Sequence, residues 1–181
     1  NLLSKLDGII LQDYNKGILT PSLISNIISI ANKKDILVTV DPKFDNFFEY
    51  KNVTVFKPNK KETETVLGIR IKDDKDISSA GRNLLKKLTS KYVLLTLGGG
   101  IAVFEDGDKE RRMPTKARKV ADVSGAGDTV ISTLTIGLAA GADIYEACFL
   151  ANYAAGIVCG EVGIVPIEKE ILFETVVKEN L

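Results

Sequence analysis

Through the first half of this 181-residue chain, short apolar runs alternate with stretches of helical periodicity. That alternation is the mark of βαβ units and a mainly parallel sheet. The apolar runs predict strands at residues 8–12, 36–40, 53–56 and 92–96, with helices between them at 21–33, 60–67 and 76–89. Thr20 and Pro21 suit the N-cap and first position of the first helix, because threonine can accept an orphan N–H and proline has none to lose. After Thr96 the pattern changes: runs at 101–105 and 110–114 flank Asp106-Gly107, a hairpin signal. Three helices come next, at 126–140, 144–160 and 166–179. Residues 1–7 read like the middle of a helix feeding the first strand, so the chain is expected to be a fragment.

With 45% apolar residues the chain can bury one substantial core, and one domain over 1–181 is expected. Lysine plus arginine number 24 and aspartate plus glutamate 24, which removes the broad electrostatic case for nucleic acid or an anionic membrane as partner. The two cysteines, Cys148 and Cys159, both fall in a predicted helix eleven positions apart. They support neither a disulfide framework nor a zinc ligand set, and a reducing cytoplasm is expected. No apolar run reaches membrane-spanning length. With no histidine anywhere, histidine triads, phosphohistidine chemistry and histidine metal sites are excluded.

The most informative stretch is Asp122-Val123-Ser124-Gly125-Ala126-Gly127-Asp128-Thr129. Small residues at Gly125, Ala126 and Gly127 let several backbone N–H groups converge on one anion at the positive end of a helix. Asp128 in the first turn could take a proton from an attacking alcohol. The plainer alternative is a glycine-rich loop whose acid satisfies the helix dipole. Open α/β sheets bind ligands at strand ends, which singles out Asp13, Asp41, Lys57, Asn59 and Thr96. Asp13-Tyr14-Asn15-Lys16-Gly17 offers Asp13 to a sugar and Lys16 to an anion, or is a polar turn closed by Gly17. In Asp41-Pro42-Lys43 the proline stops the strand, and Lys43 either meets a phosphate or is solvated. Asn59-Lys60-Lys61-Glu62 has capping-box spacing. The small residues between Gly137 and Gly156 suit close helix packing; Asn152 among them is either a hydrogen-bonded core residue or part of a site.

The segment with Asp122, Gly125, Ala126, Gly127 and Asp128 resembles the second signature of the ribokinase-like (PfkB) carbohydrate kinases. The longer run from Met113-Pro114-Thr115 through Val120 to Val130 is most similar to the kinase domain of ADP-heptose synthesis proteins. The other landmarks fall in the expected order along the whole chain. The resemblance implies a three-layer α/β/α ribokinase-like fold with a mainly parallel sheet, lacking its N-terminal part and lid. It implies Asp128 as catalytic base, with Gly125, Ala126 and Gly127 as the anion hole. Glu62 and Asn59 would organise Mg²⁺, since magnesium keeps much of its water and needs few protein ligands. Thr96, Gly98 and Gly100 resemble a T-x-G-x-x-G nucleotide loop one residue short, beside which a tight β-turn stays open, and Asn152 would lie near adenine. Asp13, Lys16 and Lys43 would face the sugar phosphate. Asp122 and Ser124, with the loop 158–163, would surround a potassium ion.

The same resemblance implies an ATP- and Mg²⁺-dependent kinase, with K⁺ as a further cofactor. Its favoured acceptor is heptose 7-phosphate, and the intact protein is expected to be a cytoplasmic homodimer. Fructose, ribose or adenosine as acceptor is the alternative, as is a non-catalytic nucleotide-binding or dimerisation module. No H-x-G-H adenylyltransferase motif is present, so a nucleotidylyltransferase activity is not assigned. Without the sugar-binding part, the fragment is expected to bind nucleotide weakly and transfer little.

Overall fold

The computed structural model describes residues 2–117 and 121–180. Asn1, Val120 of the motif run with its two preceding residues, and Leu181 lie outside the described residues. The chain divides into two compact units, Asn1–Arg112 and Met113–Leu181.

After a short 3-10 turn at Leu2–Lys5, the first unit runs β1 (Gly8–Gln12), α1 (Pro21–Asn32), β2 (Leu37–Asp41), β3 (Val55–Phe56), α2 (Lys60–Leu67), α3 (Asp74–Leu88), β4 (Tyr92–Thr96) and β5 (Gly100–Glu105). β6 (Glu110–Pro114) completes a sheet whose spatial order is the sequence order, β1-β2-β3-β4-β5-β6. The pairs β1–β2, β2–β3 and β3–β4 are parallel and β4–β5 is antiparallel. The sequential parallel strands put all four C-terminal ends on one side, where the polar strand-end residues collect.

Each helix starts where a side chain satisfies its orphan N–H groups. Thr20 accepts from Leu23 N, Asn59 from Glu62 N, and Asp73 from both Lys75 N and Asp76 N. Asp73 therefore begins α3 two residues earlier than the apolar pattern predicts, since helix geometry begins at the cap and not at the first buried residue. β3 is shorter than expected: Val53 is buried but lies outside the ladder, between an exposed Asn52 and a partly buried Thr54, and an apolar position alone does not make a strand residue. Ile24, Ile28 and Ala31 form the buried stripe of α1, and α3 buries Ala80, Gly81, Leu84 and Leu88. A Cβ on Gly81 would lie 2.2 Å from the ring of Phe104, so the helix approaches β5 as closely as it does only with glycine there.

The second unit holds α4 (Ala126–Ala139), α5 (Ile144–Val158) and α6 (Lys169–Asn180). Asp143 and Glu146 form a capping box at the start of α5. α5 ends at Val158, so Cys159 is its C-cap and not a helical residue, and α6 begins three residues beyond Pro166. Gly137 meets Ala147 where α4 crosses α5: a Cβ there would stand 3.2 Å from that alanine's Cβ. Gly156 permits a closer approach still, with a Cβ only 2.8 Å from the backbone carbon of Lys116. One turn earlier on the same face, Asn152 donates from Nδ2 to the Pro114 carbonyl at 2.7 Å. Gly137 and Gly156 of the small-residue stripe thus serve packing, and Asn152 is buried and hydrogen-bonded beside them. No helix among the described residues is long and apolar enough to cross a membrane.

Candidate functional site

At the C-terminal ends of β1 and β2, the Asp13 N–H donates to the Asp41 carbonyl at 3.0 Å and adds a rung beyond the strands. The Asp13 carboxylate is almost fully buried, at 3% exposure. It accepts from Asn15 N at 2.8 Å, Tyr50 Oη at 2.7 Å and, more weakly, Asn46 Nδ2 at 3.5 Å. Burial first, then the hydrogen bond and charge of Asp13, hold the Tyr50 phenol far above its ordinary range. Asp13 thus locks the loops after β1 and β2, while Lys16 in the first loop is exposed. Tyr50 carries no motif and was invisible in the sequence; only the folded loop brings it to Asp13.

Beside it lies a buried ion pair. Lys57 Nζ stands 3.1 Å from Asp41 Oδ2, with side-chain exposures of 3% and 8%, and Gln12 Nε2 donates to the same oxygen at 2.9 Å. The strand-end rule names both charged residues without pairing them. Burying either charge alone would be costly, so each holds the other in place.

The next layer gathers four of the sequence-predicted residues. Asn59 Oδ1 accepts from Glu62 N at 2.8 Å, and Glu62 Oε2 accepts from Asn59 N at 2.9 Å, closing the capping box. The other carboxylate oxygen, Oε1, lies 2.5 Å from Lys43 Nζ. Asn59 forms an isolated parallel bridge with Thr96, whose hydroxyl lies 3.5 Å from the Pro58 carbonyl. Thr96 leads into the turn of the β4–β5 hairpin, closed by Leu97 N to the Gly100 carbonyl at 2.9 Å, with Gly98 at φ +74°. This is the tight β-turn that the sequence leaves open beside a nucleotide loop.

In the second unit the anion turn is continuous with α4. Gly125 is the N-cap, at φ +78°, and no side chain caps the helix. A Cβ there would be strained by the backbone and 3.2 Å from Ile164. Within the turn Ala126 N donates to the Val123 carbonyl at 3.2 Å, and Asp128 is the acidic residue of the first helical turn, where the helix end is positive. Asp128 is exposed on that turn and lines a cleft with Thr129, Ser132 and Ile164. Asp122 Oδ1 accepts from Ser124 N at 2.8 Å, and this bond holds the Asp122 carboxyl below its usual range. The 158–163 loop meets this segment, with Ala121 N and Asp122 N donating to the Cys159 carbonyl at 2.8 and 3.3 Å. Among the described residues no group of three histidine, cysteine, aspartate or glutamate side chains could hold a metal by itself.

Comparison with known proteins places the chain in a family. The pattern of the pfkB family of carbohydrate kinases matches residues 5–170, across both units. The bifunctional protein HldE of Syntrophotalea carbinolica is 39% identical over 182 residues, covering 100% of this chain and 37% of that protein. HldE of Geobacter sulfurreducens is 42% identical over 160 residues, covering 88% and 33%. The chain thus spans about a third of the length of these relatives. In fold it is similar to Arabidopsis thaliana ribokinase complexed with ribose and ATP, with a TM-score of 0.83, 22% identity, and 96% and 56% of the two chains covered. Phosphofructokinase-2 from Escherichia coli in complex with potassium gives a TM-score of 0.84 at 17% identity, covering 98% and 59%. A mostly parallel sheet in sequential order, an uncapped glycine turn bearing Asp128, and these relationships lead to one conclusion: the chain has the ribokinase-like α/β fold and belongs to the pfkB family of carbohydrate kinases.

Proposed function

We propose that the protein transfers the γ-phosphoryl group of ATP to a hydroxyl of a sugar phosphate, with heptose 7-phosphate as acceptor, in the synthesis of ADP-heptose. The observation that carries this reading is Asp128 on the first turn of a helix whose N-cap is a left-handed glycine with no capping side chain. The Asp128 carboxylate takes the proton of the acceptor hydroxyl as its oxygen attacks the γ-phosphorus. The bond from that phosphorus to the β–γ bridging oxygen breaks, and ADP leaves. The N–H groups of Gly125, Ala126 and Gly127 stabilise charge on the transferring phosphoryl oxygens, a role worth several kcal/mol in dry sites, about 3–4 for one donor.

The donor set fits Mg²⁺ in the manner of phosphoryl-transfer enzymes, where one or two carboxylates suffice beside substrate phosphates. Glu62 offers such a carboxylate, and the Lys43 ammonium already stands against it as a positive charge. Mg²⁺, when bound, neutralises phosphate charge; Glu62 and Asn59 hold it, and Lys43, Lys16 and Asp13 serve the acceptor side. Thr96, Gly98, Gly100 and Asn152 serve the nucleotide. Asp122 and Ser124, beside the Cys159 carbonyl, are the residues for a potassium ion. The likeness to HldE, together with the family match across both units, supports a single kinase domain of which this chain supplies the nucleotide-binding and catalytic portion. The same reading extends to a cytoplasmic homodimer.

The test is ADP release by the full-length protein with ATP and, in parallel, heptose 7-phosphate, fructose, ribose and adenosine. Turnover with heptose 7-phosphate at least about tenfold above the others in kcat/KM supports the acceptor. A preference for another sugar moves the enzyme within the family, and no turnover with any acceptor overturns the catalytic reading.

A further inference from the structure

We infer that Lys43 is an exchangeable cation for Glu62: its ammonium occupies the carboxylate oxygen that a divalent ion takes, and gives it up when that ion arrives. This exchange deepens the proposed function, on which its nucleotide half rests. Three observations carry it. Lys43 Nζ sits 2.5 Å from Glu62 Oε1, closer than an ordinary surface pair, while Glu62 Oε2 is already committed to Asn59 N at 2.9 Å. One carboxylate oxygen is therefore fixed by the helix cap, and the other is held by the Lys43 ammonium. The two side chains differ in freedom: Glu62 is 3% exposed, whereas Lys43 keeps 31% exposure at the tip of a flexible stem. In an exchange the lysine swings out and the glutamate stays, since its backbone and one oxygen are pinned by the capping box. Finally, Lys43 follows Pro42 at the end of β2, and the buried Asp41 carboxylate there has its own ammonium, Lys57 Nζ at 3.1 Å.

The physical need for such a device is plain. A carboxylate as enclosed as that of Glu62, with a single N–H donor, is strongly destabilised when it lacks a positive neighbour. The ammonium compensates that charge while no metal is bound. Once a hydrated divalent ion takes over the compensation, the lysine charge is released toward solvent and becomes available to a phosphate. The pair then links metal arrival to the appearance of an anion-binding cation at the same strand ends.

The test measures metal binding without nucleotide, so that it stands apart from the kinase reaction. Mn²⁺ alone is titrated into the full-length protein and followed by electron paramagnetic resonance, with Lys43→Met, Lys43→Gln, Glu62→Gln and the Lys43→Met/Glu62→Gln double variant alongside. Removing the lysine charge should tighten Mn²⁺ binding by about tenfold or more, the scale on which groups touching a metal ligand alter affinity. Glu62→Gln should abolish the gain. Mn²⁺ should also raise the melting temperature of Lys43→Met more than that of the wild type. Should Lys43→Met fail to fold, Lys43→Gln carries the same expectation, because it keeps a donor to Glu62 without the charge. Unchanged Mn²⁺ affinity in the lysine variants, or a gain that persists in the double variant, overturns the exchange. ADP formation measured on the same proteins separates the two levels: a catalytically silent wild type whose lysine variants still gain Mn²⁺ overturns the kinase reading and leaves the exchange standing.

Discussion

The Tyr50 phenol donates a 2.7 Å hydrogen bond to the Asp13 carboxylate across 37 residues of chain, tying the loop after β1 to the segment between β2 and β3. Tyr50 has no exposure at all. Tyr50→Phe removes one donor from a buried carboxylate and should cost about 1–3 kcal/mol, read as a lower denaturation midpoint at neutral pH. The same bond has a pH signature. The folded-state phenol is raised above its ordinary value of 10.0, so its contribution is complete below that pH. Above it the unfolded chain releases the proton while the folded chain keeps it, and stability falls as pH rises. The stability gap between wild type and Tyr50→Phe should therefore narrow at alkaline pH; a constant gap would contradict the assignment.

Gly81→Ala sets two magnitudes against each other. Alanine gains roughly 1 kcal/mol over glycine inside a helix. The added Cβ, however, would lie 2.2 Å from a fully buried phenylalanine ring, Phe104, and overpacking of this kind costs about 1–3 kcal/mol or more. Net destabilisation with an unchanged denaturant slope is expected by equilibrium unfolding. A stabilised variant would mean that α3 does not approach β5 as described.

The two thiols should differ sharply. Burial pushes Cys148 up to about 12, and Cys159 is raised by partial burial and by the charge of Asp122. Only thiolate reacts with an alkylating reagent. Peptide mapping after treatment near neutral pH should find Cys148 untouched in the native protein and modified only on unfolding, with Cys159 slow. Native Cys148 reacting like a free thiol would contradict the packing of α5.

The order and type of the elements were legible in the sequence because apolar periodicity and caps agree there: β1, β4 and α2 have the expected bounds. What periodicity could not give was the pairing of charges. Asp41, Lys43, Lys57 and Glu62 each stand out after a strand or in a cap, yet which ammonium meets which carboxylate depends on loop paths that no local signal encodes. The Asn59-to-Glu62 spacing read as both a cap and a metal motif; the cap is present, with both hydrogen bonds made. Tyr50 lay beyond reach because an aromatic between a turn and the exposed Lys51 and Asn52 has many equivalent fates.

Glu62→Gln separates those two roles. Glutamine can still accept from Asn59 N, so the cap survives, and the partly exposed Lys43 can reach solvent; the melting temperature should change little. Turnover should fall and need more Mg²⁺ to reach half its maximum. An unaltered rate and Mg²⁺ dependence would leave Glu62 with capping alone.

Whether Asp128 takes the acceptor proton at the N-terminus of α4 is decided by comparing ADP formation from ATP and heptose 7-phosphate by full-length wild type and Asp128→Asn, with ATP affinity measured calorimetrically on both. Asparagine leaves the turn and its N–H groups in place but cannot accept the proton. Nearly equal ATP affinity and a kcat lower by about 10²-fold or more are expected. Turnover of Asp128→Asn close to that of wild type would contradict the assignment of Asp128 as the base.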